Sequence, residues 1–132
     1  KKGTIHNFKD LDLLNVLRNH IGKIDSQFEN LNAEGNWYYN LDNCGIGMHG
    51  DAERLKVLGV RLGNQPMNLC YRWYQNSKYK NIGKFFEIML NPGDIYIMSE
   101  VSTGNNWKKK KIKTLRHCCG GDKWMAKIKK YM

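Results

Sequence analysis

His49, Gly50 and Asp51 set an imidazole and a carboxylate two positions apart. In a strand, or at a strand end, alternate side chains point to one face, so both could reach the same metal ion. Two histidines and one carboxylate on one face of an octahedron are the ligand set of non-haem Fe(II) oxygenases, which leave positions open for co-substrate and O2. The second histidine must then come from elsewhere, and the choice is among His6, His20 and His117. The first two lie upstream in a stretch that reads as helix, whereas His117 ends a β-like run. The expected metal ligands and catalytic residues are therefore His49, Asp51 and His117. A His-x-Asp pair also occurs at surface turns, where the aspartate caps the turn and the histidine bonds to a neighbour. The strand context and the lone downstream histidine favour the metal.

The elements that must position these residues can be read from periodicity. Phe8, Leu11, Leu14 and Leu17 recur at spacings of three, and Leu13, Val16 and Ile21 widen the stripe. Asp10 and Asp12 come early and Arg18 and His20 late, which complements a helix dipole; Gly22 reads as the stop. This helix is expected to pack outside a sheet. From Trp37 the texture becomes β-like, with a short aromatic run at 37–41. Apolar runs at 56–62, 69–74 and 84–90 follow. Asn91-Pro92-Gly93-Asp94 is a turn signal, after which 95–98 resumes as strand, so 84–98 reads as a hairpin. Residues 103–111 form a polar loop and 112–117 return as strand. Many short strands with turn punctuation imply a sandwich or barrel rather than alternating β-α-β units. The expectation is one compact domain over 1–132, with a helical extension at 1–35 and a β core at 36–132.

Composition bounds the rest. Hydrophobic residues make up 41% of the 132 positions and aromatics 11%, which suits one globular core and argues against wholesale disorder. No apolar run approaches membrane-spanning length, and the start lacks a signal-peptide pattern, so an intracellular protein (cytoplasmic or nuclear) or an excised domain is expected. A monomer is expected. Cys44, Cys70, Cys118 and Cys119 include no Cys-x-x-Cys pair, so reduced thiols are expected rather than a zinc ribbon or disulfide framework. The formal net charge of +10, from 22 Lys and Arg against 12 Asp and Glu, favours polyanionic partners.

At this point the chain resembles the AlkB-like branch of the Fe(II)/2-oxoglutarate dioxygenases. The resemblance runs from about Trp37 to His117. It rests on the order of Tyr38-Tyr39, Gly45, His49-Gly50-Asp51 and the apolar run Val57 to Gly63. It continues through Phe86 to Leu90, the turn and strand from Gly93-Asp94 to Ser99, and Leu115-Arg116-His117. The lysine- and asparagine-rich composition is similar to that of proteins from AT-rich genomes, including large DNA viruses. The resemblance implies a double-stranded β-helix (jelly-roll) fold. It also implies 2-oxoglutarate as co-substrate, oxidised to succinate while a C–H bond, here of a nucleic-acid base, is hydroxylated or demethylated. A protein side-chain hydroxylase and a non-catalytic nucleic-acid-binding domain are the alternatives.

The sequence departs from that family in two ways. No arginine follows His117 to grip the far carboxylate of 2-oxoglutarate. Lys127 is the expected substitute, Arg72 the second choice, and Tyr39 or Tyr38 a hydrogen-bonding partner. The segment before the first core strand is also short for a lid over substrate. The nucleic-acid surface is expected at Trp107, Lys108, Lys109, Lys110 and Lys111, with a second basic set near Trp124 and Tyr131.

Overall fold

The computed structural model describes residues 3–75 and 80–130. The chain forms two compact units, Lys1–Asn36 and Trp37–Met132. In the first, a 3-10 turn at Phe8–Asp10 leads into helix α1 (Asp12–Ile24), and a second 3-10 turn follows at Ser26–Phe28. Each turn is opened by a side-chain cap. Asn7 accepts from the Lys9 amide at 2.9 Å and Asp25 from the Gln27 amide at 3.0 Å. Gly22 lies inside α1 rather than ending it. Glu29 folds back against it, and a β carbon there would sit 3.3 Å from the Glu29 Cα. The helix stops at Asp25, whose extended backbone leaves the helical region.

The second unit is mainly β. Its described strands are β1 (Gly45–His49), β2 (Val57–Val60), β3 (Met67–Gln75), β4 (Lys80–Leu90), β5 (Ile95–Met98) and β6 (Lys113–Gly120). They form two antiparallel sheets, one of order β1-β6-β3-β4 and one pairing β2 with β5. Short helices α2 (Glu100–Thr103) and α3 (Asp122–Lys129) precede and follow β6.

The expected hairpin at 84–98 does not form. The reversal itself is present: the Asp94 amide donates to the Asn91 carbonyl at 3.0 Å, and Gly93 adopts a positive φ of 92°. However, β4 pairs with β3 and β5 with β2, so this turn carries the chain from one sheet to the other. Arg61 fixes the switch, donating to Asp94 at 2.9 Å and accepting from Gly93 at 2.7 Å. A turn signal sets where the chain reverses, not which strand it pairs with. The aromatic run at 37–41 also lies outside the strands. Polar turn formers take over there: Asn40 accepts from the Cys44 amide at 2.7 Å and, through its side chain, from Asp42 at 3.0 Å.

Register decides which face of the larger sheet each residue occupies. Cys70 opposes Cys118, and Arg72 opposes Arg116, on one face; Tyr71 opposes His117, and Leu69 opposes Cys119, on the other. The first face is sealed by α3. Cys70, Cys118 and Met125 are essentially fully buried, with Met48, Phe85 and Trp124 packed around them. Burying one such methionine contributes roughly 1.5–3 kcal/mol. The Trp124 ring lies so close over Gly45 and Gly120 that a β carbon at Gly120 would come within 2.5 Å of it. Asn68 donates to Asp122 at 2.7 Å, tying β3 to the acidic first turn of the helix. A basic C-terminal segment of this kind reads as a tail, and the structure makes it a packed helix. The spacing of Trp124, Met125 and Ile128 after Asp122 was the available helix signal.

Candidate metal centre

The opposite face of the sheet carries the candidate centre. Along β1, Ile46 opposes Cys119 and His49 opposes His117, so three steps on β1 match two on β6. The extra residue is a β-bulge, which re-aims the side chains that follow it. Without it Met48 would face His117. With it Met48 packs into the core and His49 turns to the His117 side. Asp51 arrives differently from the strand alternation expected of a His-x-Asp pair: β1 ends at His49, and the chain turns through Gly50. The Asp51 amide is then pinned to the Thr103 carbonyl at 2.8 Å. Gly50 is buried against Gly104 and Trp107, and a β carbon would sit 2.8 Å from the Trp107 Cβ. Only glycine fits between these two ligands.

The donor atoms of His49, Asp51 and His117 all lie within 4.8 Å of one another, so the group could hold a metal ion. His49 Nε2 is 3.6 Å from one Asp51 oxygen and His117 Nε2 is 3.7 Å from the other. Bonds of about 2.1 Å at right angles put neighbouring donors about 3 Å apart, so little closure is needed. His49 Nδ1 is 2.8 Å from the Gly47 carbonyl, which suits an Nδ1–H donor and leaves Nε2 free as a ligand. Arg54 pairs with Asp51 at 3.3 Å.

His117 is buried, and its pKa is lowered to about 4. Burial is the main cause, and the charge of His49 adds to it, opposed by Asp51 and the Ser102 backbone. Its Nδ1 makes no hydrogen bond of normal geometry among the described residues. The imidazole is therefore neutral at pH 7, the form that binds metal.

Tyr71 and Tyr96 lie near Asp51, and Tyr38 and Arg61 lie near Cys119 on the same side of the sheet. The Tyr38 hydroxyl meets the Cys119 thiol at 3.0 Å, and burial pushes its pKa well up. Burial raises Tyr71 to about 12, and the Tyr96 hydroxyl and the Asp51 carboxylate act in the same direction. Tyr96 is raised likewise, by burial, Cys119 and Asp51. Its ring crosses β2 at Gly59, where any β carbon would collide with it. The Arg61 charge works against the upward shifts of Tyr38 and Cys119, so its field reaches this side of the sheet. Its guanidinium donates to the Gln65 carbonyl at 2.7 Å and to that of Leu62, while its buried Nε has no hydrogen-bond partner among the described residues. Sequence reasoning does not single out Arg61 as an anchor. Its position at the end of an apolar strand, in a chain with few arginines, was the signal.

The other expected site residues lie elsewhere. Tyr39 is 76% exposed, its ring edge-on to Trp37. Arg72 is on the opposite sheet face from His117. Lys127 lies on α3, the helix that covers that opposite face, and reaches Asn43 at 3.4 Å. The structure therefore does not bring Tyr39, Arg72 or Lys127 to the triad. Trp107 is half-buried, with the Arg116 guanidinium 5.2 Å from its ring and 4.4 Å from Tyr74 on the other side. That ring is committed to the fold. Lys108, Lys109, Lys110 and Lys111 are exposed beside it. In the second basic set, Lys123 and Lys129 pair with Asp42 and Glu87, each at 2.6 Å. Tyr131 lies outside the described residues.

Among known proteins, the chain is 47% identical over 125 residues to an uncharacterized protein of Acanthamoeba polyphaga mimivirus. The match covers 94% of this chain and 47% of that protein, so the chain spans about half the length of its viral relative. No protein-family model matches the sequence. No solved structure matches it either. No described helix is long and apolar enough to cross a membrane.

Proposed function

We propose that the Trp37–Met132 unit is an Fe(II)- and 2-oxoglutarate-dependent dioxygenase of AlkB-like type that oxidises nucleic-acid bases. The observation that carries this reading is the convergence of His49, Asp51 and His117, two imidazoles and a carboxylate with donor atoms within 4.8 Å. The fold is consistent with it. A jelly roll has eight strands in two sheets. The six described strands form two antiparallel sheets, and the chain crosses between them after β1, β2, β4 and β5.

With Fe(II) bound, the chemistry available would be reduction of O2, one oxygen atom going to 2-oxoglutarate to give succinate and CO2 and the other into a C–H bond of the substrate. His49 and His117 would supply the nitrogens and Asp51 the charge, with Tyr71 close by. Arg61, assisted by the Tyr38 hydroxyl, is the best-placed anchor for the far carboxylate of the co-substrate. It offers a fixed positive charge and an Nε–H not taken up by Leu62 or Gln65, whereas Lys127 lies on the helix that covers the opposite face. The net charge of +10 and the exposed run Lys108 to Lys111 favour a polyanionic substrate. A base would have to be presented unstacked to reach the metal.

The deciding experiment is anaerobic titration of the metal-free protein with Fe(II) and then 2-oxoglutarate, following the visible charge-transfer band of the chelate. The expected band requires both additions and is absent in His117→Ala. A folded wild-type protein that gives no band would sink the dioxygenase reading and leave a nucleic-acid-binding β domain.

A further inference from the structure

Next to the triad, on the same sheet face, runs an open groove of about 330 Å³. Its lining includes Tyr71, Trp73, Phe86, Ile88 and Leu115. It starts at the metal group, since the Tyr71 and His117 rings are 6.0 Å apart. It continues past Trp73 into a second hollow of about 340 Å³ bordered by Lys113. Phe86 and Ile88 are 55% and 49% exposed, a high cost for large apolar side chains with no role outside the core.

The chemistry of the lining narrows the occupant. Two of its polar side chains are already engaged: Glu87 is held by Lys129 at 2.6 Å, and the Ser102 hydroxyl bonds to the Ser99 carbonyl at 3.1 Å. A nucleobase lying here would find only the Tyr71 hydroxyl and the Trp73 indole N–H for its hydrogen-bonding edge, and each group left unpaired costs about 1–3 kcal/mol. An alkyl chain would lose nothing. At the far end Lys113 is exposed and offers a cation, next to the run from Lys108 to Lys111. His117 and Lys113 share one strand and one face, four residues apart, which is about 13 Å at the strand rise.

We propose that this groove binds an amphipathic anion, an unbranched aliphatic carboxylate of about ten carbons. Its carboxylate pairs with Lys113, and its chain lies over Trp73, Phe86 and Leu115 toward the triad. This binding requires no metal and stands independently of the dioxygenase reading.

The test is equilibrium titration of the metal-free chain with decanoate, below its micelle threshold, following tryptophan emission. Decanol and a single-stranded oligothymidylate serve as comparison ligands. Decanoate is expected to give a saturable change that disappears in Trp73→Phe. Its affinity should weaken at least about tenfold in both Lys113→Glu and Phe86→Ser. Both positions are at the surface, and unchanged circular dichroism would show that these variants fold. Lys127→Glu, on the helix that covers the opposite face of the sheet, should leave the affinity unchanged. Equal binding of decanol, equal loss in Lys127→Glu, or no saturable change with decanoate would each overturn the proposal. So would an oligothymidylate signal through Trp73 in place of the decanoate signal. Because no Fe(II) or 2-oxoglutarate is added, none of these outcomes depends on the charge-transfer band.

Discussion

His49 and His117 are register partners on β1 and β6, and their ring centroids stand 4.4 Å apart. Two imidazoles this close cannot both be protonated cheaply, and a shared carboxylate between them is what a cation would complete.

The first prediction concerns acid stability of the metal-free protein. A free histidine titrates near 6.5, whereas buried His117 titrates near about 4. Between these values the unfolded chain binds a proton that the folded chain refuses. Stability therefore falls as pH drops from 6.5 toward 4, and this contribution is flat above and below that window. Urea unfolding at pH 7.5, 6 and 5 should show the decline, and His117→Gln should flatten it. An identical pH slope in the variant would refute the assignment.

Gly50→Ala should do double damage. The added methyl has no space beside Trp107 and Gly104. Overpacking of this kind costs about 1–3 kcal/mol. Because the strain lies between His49 and Asp51, Co(II) affinity of the folded variant should also drop. Normal metal binding by a merely less stable variant would separate packing from ligand geometry.

Arg61→Met should raise the KM for 2-oxoglutarate roughly 10- to 100-fold, the loss of a charged hydrogen-bonding partner worth about 1.5–3 kcal/mol. Lys127→Ala, altering an exposed side chain bonded to Asn43, should leave it unchanged. Steady-state turnover over a range of 2-oxoglutarate concentrations reads both. The opposite pattern would return the anchor to α3.

Replacing Lys108, Lys109, Lys110 and Lys111 together with glutamine lowers the formal charge from +10 by four, to +6. Single-stranded DNA affinity should fall, and its log–log salt slope should shrink by about 0.7 for each phosphate that the variant no longer neutralises. Fluorescence anisotropy at several salt concentrations measures both. An unchanged slope would place the polyanion elsewhere.

How much of this was legible in the sequence differs by element. The apolar runs behind β2, β3 and β5 could be read because alternation and turn residues are local properties, and so could α1. The partners of β4 and β5 could not: the Asn91–Asp94 turn looks the same whether it closes a hairpin or joins two sheets. Helix α3 carries only a brief apolar spacing at Trp124, Met125 and Ile128, too short to predict a packed helix by itself. Its stability comes from covering Cys70 and Cys118, which is tertiary packing.

For the candidate site, the sequence by itself determined the chemistry: a His-x-Asp pair with glycine between, one downstream histidine, and a strongly basic chain. Only the tertiary structure decided the geometry. A one-residue bulge in β1 chooses His49 over Met48 for the face of the candidate metal centre, and side-chain parity across a ladder depends on register rather than on local spacing. The same parity puts Arg72 behind the sheet. The field of Arg61 reaches Tyr38 although the two residues are far apart in the chain. Such proximity is a property of how strands pair and sheets face each other, and it leaves no mark in the order of the residues.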